Sequence, residues 1–490
     1  MKWHDVFGAV DLQDTTAHSA VRRGALATAS VGIQGSIRFF YSVIIGQLLG
    51  PAALAVTNSA ISLAQLATLV WPTGSGTAAT KFIARARGAE DAALIWQTSH
   101  YLARTVLLSS IALAVPSSLF AYFVLVPGDV WLAVQVAALT IALSGYNFVR
   151  GSYFAASLLQ RAVVWDVLSV LIGVGLLICV IVLDWPSFLL TPLTLAYAAY
   201  AAVGWPRSSV VAGGALPRDI RKEITRFVAW SSLLALATSG FLQLTMVIAQ
   251  TTSSPTDAGL YAAALSIATP AAMLGSALSM SLFPSMAQAS GRGDASALRR
   301  QGDAATRGLI VVLGAIFGSI ALLASPLIAL MFGSRYADAA PLLLILLAAT
   351  LFLTLNVAAV ALLQAGHART VRIPALTSVG GLVVGLSAMV VLVPLYSVTG
   401  VALAYLTGTI VAGFGPLLIV WRMFKMRWFW LWTRFFIGMA VAAVLAAVGL
   451  TSDWSLIGLI AATIGFLALW CLLLSPELRM VTSMRKRSVS

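Results

Sequence analysis

The stretch "GIQGSIRFFYSVIIGQLLG" (32–50) is almost wholly apolar, yet Arg38 sits well inside it, far from either end. It is the second half of an apolar run, 24–48, long enough to cross a hydrocarbon core, which takes about 20 helical residues. A guanidinium in the middle of such a run is costly, at least about 2.5–3.5 kcal/mol on insertion scales. Its presence asks what the other segments supply.

Working outward, thirteen further runs of this kind follow: 54–79, 102–125, 130–157, 163–183, 187–204, 227–251, 257–286, 306–325, 340–364, 373–393, 399–421, 433–450 and 456–474. Short Pro- and Gly-rich turns separate several of them, such as "LGP" (49–51), "VPGD" (126–129), "LDWPS" (183–187) and "VPLYS" (393–397). β-Barrel strands are excluded, because the runs are about twice too long and do not alternate. Composition agrees. Of 490 residues, 60% are hydrophobic and only 9% charged, against about 25% charged in a soluble domain. The expected class is an all-α integral membrane protein with about 14 transmembrane helices.

Fourteen spans place both termini on one side. All of the 30 Lys and Arg except Arg38, Arg150 and Arg335 fall in the tails or at the even-numbered loops. By the positive-inside rule both termini are expected to be cytoplasmic, in the inner (plasma) membrane. The N-terminal 20 residues lack an apolar core and are not a signal peptide. The net charge of +14 reads as topology-setting charge near anionic headgroups rather than a nucleic-acid surface, since no basic stripe is interleaved with aromatics. Cys179 and Cys471 lack metal-ligand spacing, and His4, His18, His100 and His367 are scattered, so neither a metal nor another cofactor is expected.

The longest polar stretch within the bundle, 204–227, divides six spans from eight. The expected organisation is a tail, 1–23; an N-terminal lobe, 24–204; an amphipathic cytoplasmic linker, 205–226; a C-terminal lobe, 227–421; two further spans, 422–475; and a basic tail, 476–490. Within the linker, Ile220, Ile224 and Phe227 share one face flanked by basic residues, as in a helix lying along the inner leaflet. Residues 49–94 and 256–298 are alike: a Gly-containing turn, a helix rich in small residues and an acidic loop. Such internal repeats are a plan of secondary transporters, with the substrate between them.

Seven motifs occur in a set order and spacing: "IGQLLGPAALA" (45–55), "ATKFIARARG" (79–88), "DAGLYAAAL" (257–265), "SLFPSMAQASGRGD" (281–294), "FGSRYADAAPLLLIL" (332–346), "LLQAGHART" (362–370) and "VPLYSVTGVALA" (393–404). On these the chain resembles the multidrug/oligosaccharidyl-lipid/polysaccharide (MOP) flippase superfamily, and within it the polysaccharide repeat-unit flippases. The resemblance implies two six-helix lobes in a V around a central cavity, plus two C-terminal helices, alternating between inward-open and outward-open states.

Two basic residues sit deep, Arg38 in span one and Arg150 in span four, and no Asp or Glu falls in the interior of any span; Asp166 begins span five near the cytoplasmic face. Neither arginine is expected to have a carboxylate partner, so the missing anion is read as the substrate. A guanidinium holds phosphate through paired hydrogen bonds and stays protonated. Uncharged polar residues at helical spacing extend the candidate site: Gln34 with Arg38, Asn147 with Arg150, Asn58 with Gln65, Gln243 with Gln250, and Asn356 with Gln364. Each amide serves equally well to bind sugar hydroxyls or to join helices, at about 0.6 kcal/mol per bond. Pro72 and Pro270 fall within spans and are candidate hinges, or ordinary packing.

The expected function is a flippase moving a polyprenyl-diphosphate-linked oligosaccharide from the inner to the outer leaflet, for cell-surface polysaccharide biosynthesis. Its expected partners are that lipid-linked glycan, membrane lipids and polysaccharide assembly enzymes, with no nucleic acid. One alternative is a lipid II flippase, but residues 52–80 and 257–286 lack the further arginines which that resemblance implies. Another is a cation-coupled multidrug exporter, which would need an embedded acidic residue. A glycosyltransferase or polymerase would need an acidic cluster beside a large loop, so no enzyme is expected.

Overall fold

The structure, a computed structural model, describes residues 17–206, 215–271, 286, 295–365, 370–452 and 454–477. The tail residues 1–16 and 478–490, most of 272–294 and the segment 366–369, on which parts of the sequence reading fall, lie outside the described residues. Every regular element among the described residues is a helix. Eleven are long and apolar enough to cross a membrane. One of these, Ile373–Met423, folds back at Ser397, where φ is 51° and ψ −129°, and so supplies two crossings. The first helix and that beginning at 255 bring the total to about fourteen, as the sequence implies.

By contacts the chain forms two compact units: residues 1–44 with 52–255, and residues 45–51 with 256–490. In the first unit, α1 (Ala17–Leu49) is followed by α2 (Pro51–Val70) and α3 (Pro72–Gly88). Span two is thus broken at Trp71, and Pro72 opens α3, where its missing N–H costs nothing. The helices α4 (Ala92–Phe120), α5 (Val130–Ala155), α6 (Leu159–Val182) and α7 (Thr191–Gly204) follow. Asp91 and Asp129 cap α4 and α5 by accepting from Leu94 N at 2.9 Å and Leu132 N at 2.8 Å. Helix α5 is the hub, packed against α3, α4, α6 and α7.

A close backbone-to-backbone crossing in this unit joins α3 to α5. A Cβ on Gly151 would lie 2.3 Å from the Gly76 carbonyl oxygen, and one on Gly76 would lie 2.7 Å from that of Asn147. Only hydrogen fits on either backbone, and this closeness sets the depth at which α5 presents Arg150.

Helix α8 (Arg218–Ala235) continues through a π-type turn, Leu236–Gly240, into α9 (Phe241–Thr252). The sequence reading therefore needs correction. Residues 218–226 are not a separate surface helix but the opening turns of span seven. Ile224 and Val228 are buried, Phe227 meets Phe82 edge-on, and Lys81 lies 4.4 Å from the Phe227 ring. Their apolar stripe faces α3. For the same reason the contact boundary falls at Pro255, one span later than the linker.

The second unit contains α10 (255–271), nearly all of it, then α11 (Ala295–Leu322), α12 (Ala324–Phe332), α13 (Ala339–Leu355), α14 (Val357–Ala365) and α15 (Ile373–Met423). The arms of α15 lie antiparallel, with Gly381 against Gly408 and Ala412 and Gly415 against Thr377. The last two spans, α16 (Phe429–Thr451) and α17 (Leu456–Leu473), dock on α11 within this unit. Trp470 and Phe466 fill notches at Gly314 and Gly318, and Trp470 Nε1 donates to the Val311 carbonyl at 2.9 Å. Buried Glu477 bridges Arg307 at 2.9 Å and Arg434 at 3.6 Å.

The tip of the first hairpin, residues 45–51, also belongs to this unit. Arg335 Nη2 donates to the Gln47 carbonyl at 2.8 Å, Tyr336 to that of Gly46 at 3.1 Å, and Gln47 Nε2 to that of Met331 at 2.8 Å. Burial pushes the Tyr336 hydroxyl up to about 12, so it stays protonated as a donor. Arg335, the one basic residue in an odd-numbered loop, thus satisfies a free carbonyl at the C-terminus of α1.

Gly151→Val should separate α3 from α5 and lower stability by about 1–3 kcal/mol. Thermal unfolding in detergent checks this, against Gly175→Val, whose Cβ would meet nothing within 4 Å, as a control with little change.

Candidate functional site

The candidate side chains of the first unit gather around α1. Ser30, Gln34 and Arg38 recur every four residues and so share one face, with about 12 Å between the first and last. Arg38 meets α2 and α9. Its Nη1 donates to Gln65 Oε1 and, at 3.0 Å, to Gln243 Oε1; its Nη2 donates to Ser62 Oγ at 2.7 Å. All three acceptors are neutral. They satisfy N–H groups but supply no counter-charge, and among the described residues no carboxylate lies within ion-pairing distance of Arg38.

Arg150 differs, and here the expectation of an unpaired arginine is wrong. Its Nε lies 3.5 Å from Oδ2 of Asp166, whose side chain is only 1% exposed. Helix α6 begins at Leu159, so Asp166 is two turns inside it rather than at its mouth. Arg150 and Asp166 stand eight residues before and after Leu158, at the turn joining α5 to α6. They therefore sit at matching depth. Tyr146 donates to Asp166 Oδ1 at 2.8 Å and Ser30 to Oδ2 at 2.5 Å; Arg150 Nη2 donates to Ser30 at 3.0 Å. The Arg150 guanidinium also lies 4.9 Å from the Phe154 ring.

Three tyrosines, which the sequence reading missed, border this pair, and a fourth, Tyr153, packs behind Tyr200. The Tyr146 ring lies 4.8 Å from Tyr197 and 4.6 Å from Tyr200, and Tyr153 lies 5.9 Å from Tyr200. Tyr197 is within electrostatic reach of Arg38, Arg150 and Asp166, and so links the two clusters. The signal was present: Tyr146 and Tyr153 are seven apart on α5, Tyr197 and Tyr200 three apart on α7, spacings that share a helix face. With two guanidiniums and one carboxylate, the linked clusters carry one uncompensated positive charge.

The remaining amides divide between uses. Asn58 is buried and accepts from Ser42 at 3.1 Å, joining α1 to α2. Asn356, in the second unit, donates to the Ala412 carbonyl at 3.3 Å, joining α13 to α15. Gln34 and Asn147 are half-buried and make no side-chain hydrogen bond among the described residues. Gln250 keeps a buried Oε1 without a partner there. Gln65 and Gln243 are thus the two predicted amides that the structure brings to an arginine. Among the described residues no three His, Cys, Asp or Glu side chains gather as metal ligands.

The family described as polysaccharide biosynthesis protein matches residues 89–341, just over half of the chain. No curated protein sequence matches it. Solved structures of similar fold include an inward-facing multidrug resistance MATE family transporter of the MOP superfamily, 16% identical, with a TM-score of 0.66 over 80% of this chain and 94% of the other. A MOP superfamily transporter from Pyrococcus furiosus, described as having a binding pocket of reversed polarity, is 17% identical with a TM-score of 0.61 over 82% and 95%. A eukaryotic MATE transporter is 18% identical with a TM-score of 0.58 over 82% and 95%. These likenesses establish the fold.

Arg150→Ala strands a buried carboxylate and should cost about 3–5 kcal/mol at neutral pH. Adding Asp166→Asn should recover a large part of that, because the amide oxygen still accepts from a hydroxyl. Denaturant unfolding of both variants in detergent measures it; a double variant no more stable than the single one would assign the loss to packing instead.

Proposed function

The chain belongs to the polysaccharide biosynthesis protein family, and from that premise we propose that it moves a polyprenyl-diphosphate-linked oligosaccharide from the inner to the outer leaflet of the plasma membrane by alternating access, with both termini cytoplasmic. One observation carries this reading: Arg38 is held by neutral oxygens alone. A permanent charge in a membrane span is costly and faces a pathway or a partner. A diphosphate headgroup supplies the missing anion through charge-assisted hydrogen bonds. Gln65, Gln243 and Ser62 hold the guanidinium in place beforehand, which lowers the entropy lost on binding. An inside-negative potential favours outward movement of net negative charge, by about 2.3 kcal/mol per charge per 100 mV.

Asp166 favours a second reading. A cation-coupled exporter needs an embedded acidic residue, and Asp166 is one. Its pairing with Arg150 weighs against it, since a guanidinium already occupies the place a bound cation would take.

Deletion of the gene should make lipid-linked oligosaccharide accumulate at the inner leaflet, and wild-type protein should clear it. Arg38→Ala, expressed to the same level, should restore less than about a tenth of surface glycan, with partial recovery by Arg38→Lys, which keeps the charge but loses the fork. Full rescue by Arg38→Ala would remove the basis for this cargo. Normal surface glycan after deletion, with altered dye efflux abolished by Asp166→Asn, would establish the exporter.

A further inference from the structure

Resting on that reading of an anionic cargo, we infer that Arg150 is shared: it neutralises Asp166 in the empty protein and turns to the phosphate of the cargo on loading, whereupon Asp166 takes up a proton. Asp166 does not depend on the arginine for its hydrogen bonds. Ser30 on α1 and Tyr146 on α5 each donate to one of its oxygens, at 2.5 and 2.8 Å. The closest approach of Arg150 is through Nε, at 3.5 Å, and that Nε makes no hydrogen bond among the described residues.

The terminal fork of the guanidinium is nearly unused. Nη2 donates to Ser30 at 3.0 Å and Nη1 to nothing among the described residues. That fork is the part of arginine that grips phosphate with two parallel bonds. Of the two partners, it is also the arginine that has access, with a side chain 15% exposed against 1% for Asp166. Tyr197 lies within electrostatic reach of both Arg38 and Arg150, so the two guanidiniums border one tyrosine.

Withdrawing the cation leaves a buried carboxylate with no charge partner. That state is costly, and a proton relieves it. The proton comes from water and goes to a carboxylate oxygen; no other bond changes. The charged and titratable groups facing Asp166 are Arg150 and Tyr146 on α5 and Tyr197 and Tyr200 on α7, with Ser30 on α1, Arg38 beyond Tyr197 and Tyr153 beyond Tyr200. Phenols and guanidiniums do not ordinarily titrate between pH 6 and 8, so the linkage in that window falls on Asp166. Each cargo would then travel with one proton, and one unit less negative charge would cross the membrane.

The test uses the full-length protein in nanodiscs with inorganic pyrophosphate as the probe. Calorimetry in two buffers of different ionisation enthalpy at pH 7 counts the protons taken up per pyrophosphate bound. Wild type should take up about one more proton than Asp166→Asn, which should bind at least as tightly because the competitor for Arg150 is gone. Protonation of pyrophosphate itself is common to both and cancels. In the wild type alone, pyrophosphate should also raise an infrared band of a protonated carboxyl group, which keeps the test open should the variant not fold. Binding with equal proton counts, or without that band, overturns the exchange and leaves the anionic cargo standing. Failure of the wild type to bind pyrophosphate, or binding indifferent to Arg38→Ala, overturns the cargo reading and the exchange with it.

Discussion

Hydrocarbon offers no partner to a polar group, so each one carried into the membrane must be satisfied by the protein itself. Most of the chain obeys this in the simplest way. Serine and threonine hydroxyls return to carbonyls three or four residues back in their own helices, as Thr350 does to Leu346 and Ser99 to Ile95. In the first unit the charged exceptions gather in one place. Arg38, Arg150 and Asp166 bring full charges into the first unit, and the hydroxyl and amide side chains of α1, α2, α5 and α9 are spent on them.

That gathering depends on backbone closeness. With Gly76 and Gly151 in van der Waals contact, α5 lies deep enough against α3 to serve as the hub on which α4, α6 and α7 also pack. Its Arg150 then faces α6 at the depth of Asp166. In the second unit the same means, small residues at crossings, produce a different result. Gly381, Gly413 and Gly415 allow close packing, Asn356 ties α13 to α15, and the charged network lies around α11 and the C-terminal helices instead.

The number of crossings and the class of fold were legible because each span is a separate apolar run and the basic residues concentrate in alternate loops. The kink at Trp71 was foreshadowed by Pro72. The pairing of Arg150 was not legible, and the reason is geometric. A span edge read from hydropathy at 163 instead of the true start at Leu159 moves Asp166 from two turns deep to the mouth of the helix. An error of four residues, about 6 Å of helix, was enough to hide a counter-ion. The tyrosines were hidden for another reason, since an aromatic ring counts as apolar while its hydroxyl does not. Residues 218–226 showed their amphipathic stripe plainly, but periodicity alone does not say whether lipid or α3 covers it.

The tip of the first hairpin has a consequence for biogenesis. Gln47 leaves the ribosome early, yet the arginine that donates to its carbonyl is 288 residues further along. At about 5–20 residues per second of synthesis, roughly 15–60 s pass before Arg335 exists. Until then the Gln47 carbonyl at the end of α1 lacks the donor it has in the folded protein. The end of α1 therefore completes its hydrogen bonding only after more than half of the chain has been translated.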